Sequence, residues 1–361
     1  MKTQGFSLPD FPWDLLAPYG AKAREHVAGA VDLSQGTPVD PTPGFIREAL
    51  QGASDSPGYP VTTGSPELRE AIRRYCIDRL GASGEFDVLP TIGSKELVAW
   101  LPFLLRSKDV IIPKIAYPTY RVGGLLAGAR ITEVDIDATS WPRLDSETLV
   151  WINTPSNPTG RVHDRDEIAS VLDHRATGAV IASDECYFSF PDGKRPISTL
   201  EVAAGDNRNL LVVHSLSKRS NIAGYRGAFI AGDSALIARL LEIRKHAGMM
   251  MPAPIQKASA IALGDEEHVH QQAARYAARR QMLRPALEAR GFRIEHSEAG
   301  LYLWCSDGRS DWEQVSWFAE RGVIVTPGRF YGEAGERHIR IALTATDEAI
   351  KSVVERIGRD G

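Results

Sequence analysis

Between Asp87 and Gly232 the chain repeatedly sets short runs, apolar at every position, between polar turns that contain glycine or proline. Val110-Ile111-Ile112, Leu149-Val150-Trp151-Ile152, Ala179-Val180-Ile181-Ala182, Leu210-Leu211-Val212-Val213 and Ala228-Phe229-Ile230 are the clearest. A strand with one wet face alternates apolar and polar residues. Runs without alternation need cover on both faces, which helices supply in a mostly parallel sheet. The expected fold class is therefore α/β, with this stretch forming a large domain around a mostly parallel central sheet.

The flanks read differently. Ser65, Pro66 and Glu67 supply a cap, a first-turn proline and an early acid ahead of Leu68, Ile72, Tyr75 and Cys76, predicting a helix over Pro66 to Leu80. After Arg244 come a helical stretch around Tyr276 to Ala289, short strand-like segments (Phe292 to His296, Leu301 to Cys305, His338 to Leu343) and a closing helix after Thr346. At 361 residues the chain exceeds one minimal core. The expected division is an amino-terminal segment 1–40 packing with the small domain, a large domain 41–244 and a smaller α+β domain 245–361.

Charge excludes some partners. With 42 basic and 46 acidic residues, a net charge of −4 and no polybasic run, there is no field for gripping nucleic acid. Three widely spaced cysteines, Cys76, Cys186 and Cys305, argue against a disulfide framework or zinc site, and His268 with His270 is the only close histidine pair, so no metal is expected. Prolines and Asp10 interrupt the first twelve residues, and no apolar stretch reaches eighteen, so no membrane span is expected and the cytoplasm is the expected compartment.

The chemistry gathers where apolar runs end. Lys218, in His214-Ser215-Leu216-Ser217-Lys218, follows a strand end, where parallel sheets place their sites, and such a lysine can form an imine with an aldehyde. An isolated lysine there would be an ordinary surface residue. Asp184 closes the preceding apolar run, and a carboxylate at that depth wants a cationic partner such as a protonated pyridine nitrogen. Asn157, within a turn-type Asn-Pro-Thr-Gly, and Tyr187 can donate to a phenolate oxygen. Gly93-Ser94-Lys95 opens an apolar helix whose free amides form an anion site, which Ser215 and Arg226 can complete as a phosphate cup. Tyr117, beside Pro118, is placed to stack over a flat ring or simply to pack. Arg340, flanked by Ile339 and Ile341, wants a carboxylate, either from a substrate or from a structural ion pair.

In this order, from about Asp32 to the carboxyl terminus, the pieces resemble the fold type I pyridoxal-phosphate enzymes, specifically the class I/II aminotransferases. The resemblance implies pyridoxal 5′-phosphate as cofactor, Lys218 as the Schiff-base lysine and proton shuttle, Asp184 as pyridine partner, Asn157 and Tyr187 as phenolate donors and Tyr117 as stacking ring. Gly93, Ser94, Lys95, Ser215 and Arg226 would form the phosphate cup, and Arg340 the carboxylate clamp. Tyr59, in Gly58-Tyr59-Pro60, matches the family tyrosine that reaches the phosphate of the other subunit, implying a homodimer.

Leu8 to Asp14, Asp32 to Pro38 (with Gly36 expected at the substrate) and Gly58 to Glu67 are similar to the actinobacterial type of succinyldiaminopimelate transaminase, of lysine and diaminopimelate biosynthesis. That resemblance implies glutamate as amino donor and N-succinyl-2-amino-6-oxoheptanedioate as oxo-acid. Arg121, Arg244, Arg279, Arg280 and Arg329 are all candidates to read the distal carboxylate, and Met249-Met250-Met251 either lines the substrate entrance or belongs to the core. Another aminotransferase (aspartate, alanine or aromatic type) or a carbon–sulfur lyase would keep the same cofactor residues. A transcription regulator on this fold would need a DNA-binding module, for which the roughly thirty residues before Asp32 are too few.

Overall fold

The computed structural model describes residues 8–135 and 141–358; the first seven residues of the expected amino-terminal segment lie outside them. The first strand, β1 (Val31–Asp32), is followed by the seven strands of the main sheet: β2 (Asp87–Ile92), β3 (Asp109–Pro113), β4 (Arg130–Val134), β5 (Thr148–Asn153), β6 (Val180–Asp184), β7 (Leu210–Ser215) and β8 (Gly227–Gly232). Their spatial order is β2-β8-β7-β6-β5-β3-β4. The pairings from β4 to β7 are all parallel, whereas β8 runs antiparallel to both β7 and β2. Two reversals return β2 to the direction of β7. Its carboxyl end therefore emerges on the same rim as those of β3, β5, β6 and β7.

The apolar runs have a direct cause. Successive side chains of a strand point to opposite faces, and here both faces are covered. Leu210 and Val212 of β7 enter one core with Ile181, Val150 and the helix Pro66–Leu80. Leu211 and Val213 enter the other with Ala182, Trp151 and the helix Ser94–Leu105. All four are inaccessible to solvent, and each such side chain stabilises the fold by about 1.5–3 kcal/mol. The predicted Pro66–Leu80 helix is present with its cap: Ser65 Oγ accepts from the Leu68 amide, and Gly81 ends it in the left-handed region at φ 65°.

Beyond the sheet the strands are β9 (Arg293–Glu295), β10 (Tyr302–Ser306), β11 (Val323–Ile324), β12 (Thr326–Pro327) and β13 (Ile339–Ala342). Four of them form an antiparallel sheet in the order β12-β13-β10-β9, while β11 pairs with β1. Leu16 and Leu33 join the third core, which this small sheet shares with the helices Glu267–Glu288, Asp311–Glu320 and Asp347–Gly358. Glu267–Glu288 begins nine residues before the helix read from sequence, where the Asp265 carboxylate accepts from the His268 amide 3.0 Å away. The helix Ala253–Leu263, grouped by sequence with the smaller unit, packs its Ala258, Ala262 and Leu263 into the core of the main sheet. Met251 is in that core too, so the core reading of the methionine stretch holds there, and none of the three methionines lines the cavity described next.

Candidate active site

The rim where the parallel strands end encloses a cavity of about 350 Å³, also lined from the small sheet by Tyr302 and Arg340 and from the amino-terminal segment by Phe11, Trp13 and Gly36. Lys218 stands on a single helical turn, Leu216–Arg219, immediately after β7. Ser215 caps that turn by accepting from the Ser217 amide at 3.1 Å. The Lys218 ammonium donates to the Gly36 carbonyl and has no carboxylate partner among the described residues. Burial lowers its pKa, so a larger share of it is neutral amine at a given pH.

One strand over, Asp184 is buried, and burial pushes its pKa up. Its carboxylate accepts from the Tyr120 hydroxyl at 2.9 Å and the Cys186 amide at 3.1 Å, with no cation paired to it among the described residues. Tyr120 escaped the sequence reading because a tyrosine three residues past Tyr117 reads as helix packing; its ring does stack on Trp151 at 4.7 Å. Asn153, at the end of β5, was also missed. Its amide nitrogen donates to the Asp184 carbonyl at 2.8 Å and its oxygen accepts from the Asn157 amide at 2.7 Å, which ties the two loops together. A polar residue closing an apolar run was the available signal.

Asn157 gives its side-chain oxygen to Arg340 at 2.9 Å, leaving its NH₂ group to donate elsewhere. Arg340 also donates to the Ser34 carbonyl at 2.6 Å and lies over Tyr302 at 4.0 Å and Tyr331 at 4.9 Å. It is 3% exposed, its Nε has no partner, and no acid pairs with it among the described residues. The structural ion pair considered as an alternative is thus not formed. Tyr187 reaches the Tyr302 hydroxyl at 3.0 Å, and burial pushes its phenol pKa up, so it stays a donor. Tyr117 lines the cavity and meets Tyr120 edge-on at 5.7 Å.

At β2 the turn has the form of an anion cradle. Gly93 takes φ 75° before the helix Ser94–Leu105, whose first amides have no side-chain cap. A Cβ on Gly93 would sit 2.2 Å from the Arg226 guanidinium, so only glycine lets that cation lie across the helix start. The Lys95 ammonium, by contrast, lies 5.7 Å from the Phe11 ring at the cavity mouth, so this residue's exposed side chain faces the rim. Tyr59 is the predicted member that one chain leaves outside: it is 99% exposed.

The donor set fits pyridoxal phosphate. An unpaired buried carboxylate suits a pyridinium, an uncapped helix start beside Arg226 suits a phosphate, and Lys218 suits an aldehyde. The five arginines considered for a distal carboxylate are all engaged elsewhere: Arg121 with Glu133, Arg244 with Glu96, Arg279 with Asp40 and Asp347, Arg280 with Asp192 and Arg329 with Asp311. None of them lines the cavity.

Comparison with known proteins agrees with this geometry. The family described as "Aminotransferase class I and II" matches residues 28–357. The 4-dedimethylamino-4-oxo-anhydrotetracycline transaminase OxyQ of Streptomyces rimosus is 50% identical, covering 97% of this chain and 99% of its own. Probable aminotransferase Rv1178 of Mycobacterium tuberculosis is 49% identical, covering 97% and 85%. Among solved structures, a probable N-succinyldiaminopimelate aminotransferase from Thermus thermophilus superposes with a TM-score of 0.88 at 28% identity, over 96% of this chain and 99% of that one.

Proposed function

The chain belongs to the class I and II aminotransferases and is a pyridoxal-phosphate-dependent transaminase; from that premise we propose that it transfers the amino group of glutamate to N-succinyl-2-amino-6-oxoheptanedioate, giving N-succinyl-diaminopimelate and 2-oxoglutarate. The observation that carries the amino-acid part of this reading is Arg340, a buried cation without an acid. A substrate α-carboxylate is the partner it lacks. The similarity to the Thermus thermophilus aminotransferase supports the succinylated acceptor.

Pyridoxal phosphate supplies an aldehyde that captures the substrate amine and a ring that takes up the electrons left on the α-carbon. Ser94, Ser215, Arg226 and the amides after Gly93 would hold its phosphate, and Tyr117 would offer its ring a flat neighbour. Asp184 keeps a proton on the pyridine nitrogen, with Tyr120 and the Cys186 amide fixing the carboxylate. Asn157 and Tyr187 donate to the phenolic oxygen. Arg340 holds the substrate carboxylate beside Gly36. Lys218 would be the group that takes the substrate's α-proton on Nζ and holds it for return. Tyr59, exposed on its own chain, serves the phosphate of a second copy, so the working unit is a homodimer.

A second acceptor class has an observation in its favour. None of the five arginines tied to acids lines the cavity, while Phe11 and Trp13 give it aromatic walls. A bulky cyclic ketone, as in the name of the relative from Streptomyces rimosus, suits such walls. Absorbance of the reconstituted protein distinguishes the readings. Glutamate should convert the visible cofactor band to the pyridoxamine phosphate band, and the succinylated oxo-acid should restore it. Restoration only by a cyclic ketone or another oxo-acid would replace the acceptor; no change with glutamate would remove the donor.

A further inference from the structure

Tyr302 lies on β10 at the meeting point of four groups assigned to the site. Its hydroxyl is 3.0 Å from that of Tyr187, and the two rings meet edge-on at 5.5 Å. Its ring face lies beneath the Arg340 guanidinium at 4.0 Å. Its hydroxyl also crowds Gly36, where an added Cβ would fall 2.0 Å away, and the Gly36 carbonyl receives the Lys218 ammonium.

The direction of the Tyr187–Tyr302 hydrogen bond follows from where the Tyr187 hydrogen goes. Two hydroxyls share one bond, so one hydrogen is left over and needs an acceptor. Both tyrosines are buried and both line the cavity. Tyr187 has a single hydrogen, and with that hydrogen on the phenolic oxygen of the cofactor its own oxygen is left to accept from Tyr302, 3.0 Å away. We propose that Tyr302 is a positioning residue that donates to the Tyr187 oxygen and so commits the Tyr187 hydrogen to the phenolic oxygen of the cofactor. Hydrogen bonds in series strengthen one another, so Tyr302 also makes Tyr187 the better donor. This inference rests on the placement of Tyr187 against that oxygen proposed above.

The readout is the pH midpoint at which the visible absorbance of the holoenzyme changes, taken without substrate. A donor to the phenolic oxygen favours its anionic form and lowers that midpoint. Tyr302→Phe keeps every ring contact and should raise the midpoint by roughly 0.5 to 1 pH unit, part of the rise caused by Tyr187→Phe. In the Tyr187→Phe background, Tyr302→Phe should add nothing. An unmoved midpoint in Tyr302→Phe beside a raised one in Tyr187→Phe overturns the role of Tyr302 alone, as does an equal rise in both backgrounds. An unmoved midpoint in Tyr187→Phe overturns the placement of Tyr187 and this inference with it. Circular dichroism of the bound cofactor, read on each variant, reports that the site is assembled; a Tyr302→Phe variant that cannot hold the cofactor would assign the hydroxyl to structure and overturn the proposal.

Discussion

Replacing Arg340 by methionine separates a group kept for the substrate from one kept for the fold. The guanidinium is buried without an acid, and its burial costs several kcal/mol. Its bonds to Asn157 and the Ser34 carbonyl return about 1.5–3 kcal/mol each, with about 1 kcal/mol more from the faces of Tyr302 and Tyr331. These terms nearly cancel, so the substrate-free variant should melt within about 4 °C of the wild type. With substrate bound, the balance changes. Removing one partner of a buried ion pair costs about 3–5 kcal/mol, so kcat/KM for glutamate should fall by roughly 10² to 10³-fold or more. Melting curves without substrate and the glutamate half-reaction followed by absorbance test both halves. A large loss of stability with kcat/KM preserved would show that Arg340 is a strut and refute the clamp.

Other substitutions probe the remaining groups. Lys218→Ala should fold and bind pyridoxal phosphate without retaining it after denaturation in borohydride, and should lose turnover by roughly 10³-fold or more; near-normal turnover would remove the lysine from the chemistry. Gly93→Ala places a Cβ 2.2 Å from the Arg226 guanidinium at a φ of 75°, so the Kd for pyridoxal phosphate in a fluorescence titration should rise about tenfold or more. Burial holds the folded-state pKa of Asp184 above its usual 3.8, so the folded apoprotein gives up that proton less readily than the unfolded chain. The apoprotein should therefore lose stability, relative to Asp184→Asn, as pH climbs from about 4 through the raised pKa, while the holoenzyme of that variant turns over more slowly; parallel stability curves for the two apoproteins would contradict the burial argument.

The five apolar runs lie in β3, β5, β6, β7 and β8 because burial on both faces leaves a pattern any reader of the chain can see. The direction of β8 was not visible, since a strand covered on both sides reads the same whichever way it runs. Most of the predicted site residues line one cavity: those of the main sheet stand at or beside strand ends that share a rim, and Gly36 and Arg340 join them from the amino-terminal segment and the small sheet. What escaped were groups whose meaning lies in distant partners. Arg279 finds Asp40 across 239 positions and Arg244 finds Glu96 across 148, distances at which sequence spacing says nothing about contact. Tyr302 sits in the apolar run Leu301 to Cys305 and carried no signal of its own. Its hydroxyl meets Tyr187, 115 positions away, in room left by the missing side chain of Gly36.

The order of strands along the rim also makes the sheet a ruler. Asn157 follows β5, Asp184 ends β6 and Lys218 follows β7, each one strand from the next; β8 then intervenes before the cradle at the end of β2. With neighbouring strands ~4.8 Å apart, the cradle stands ~10 Å of sheet from the lysine's strand. That interval is graduated by backbone hydrogen bonds, which no exchange of loops can stretch. Variation in the mouth, at Phe11, Trp13 or Lys95, can retune which molecule is brought to the rim. The span between the cradle and the lysine's strand is set by the count of strands between them, and altering it would take the gain or loss of a whole strand.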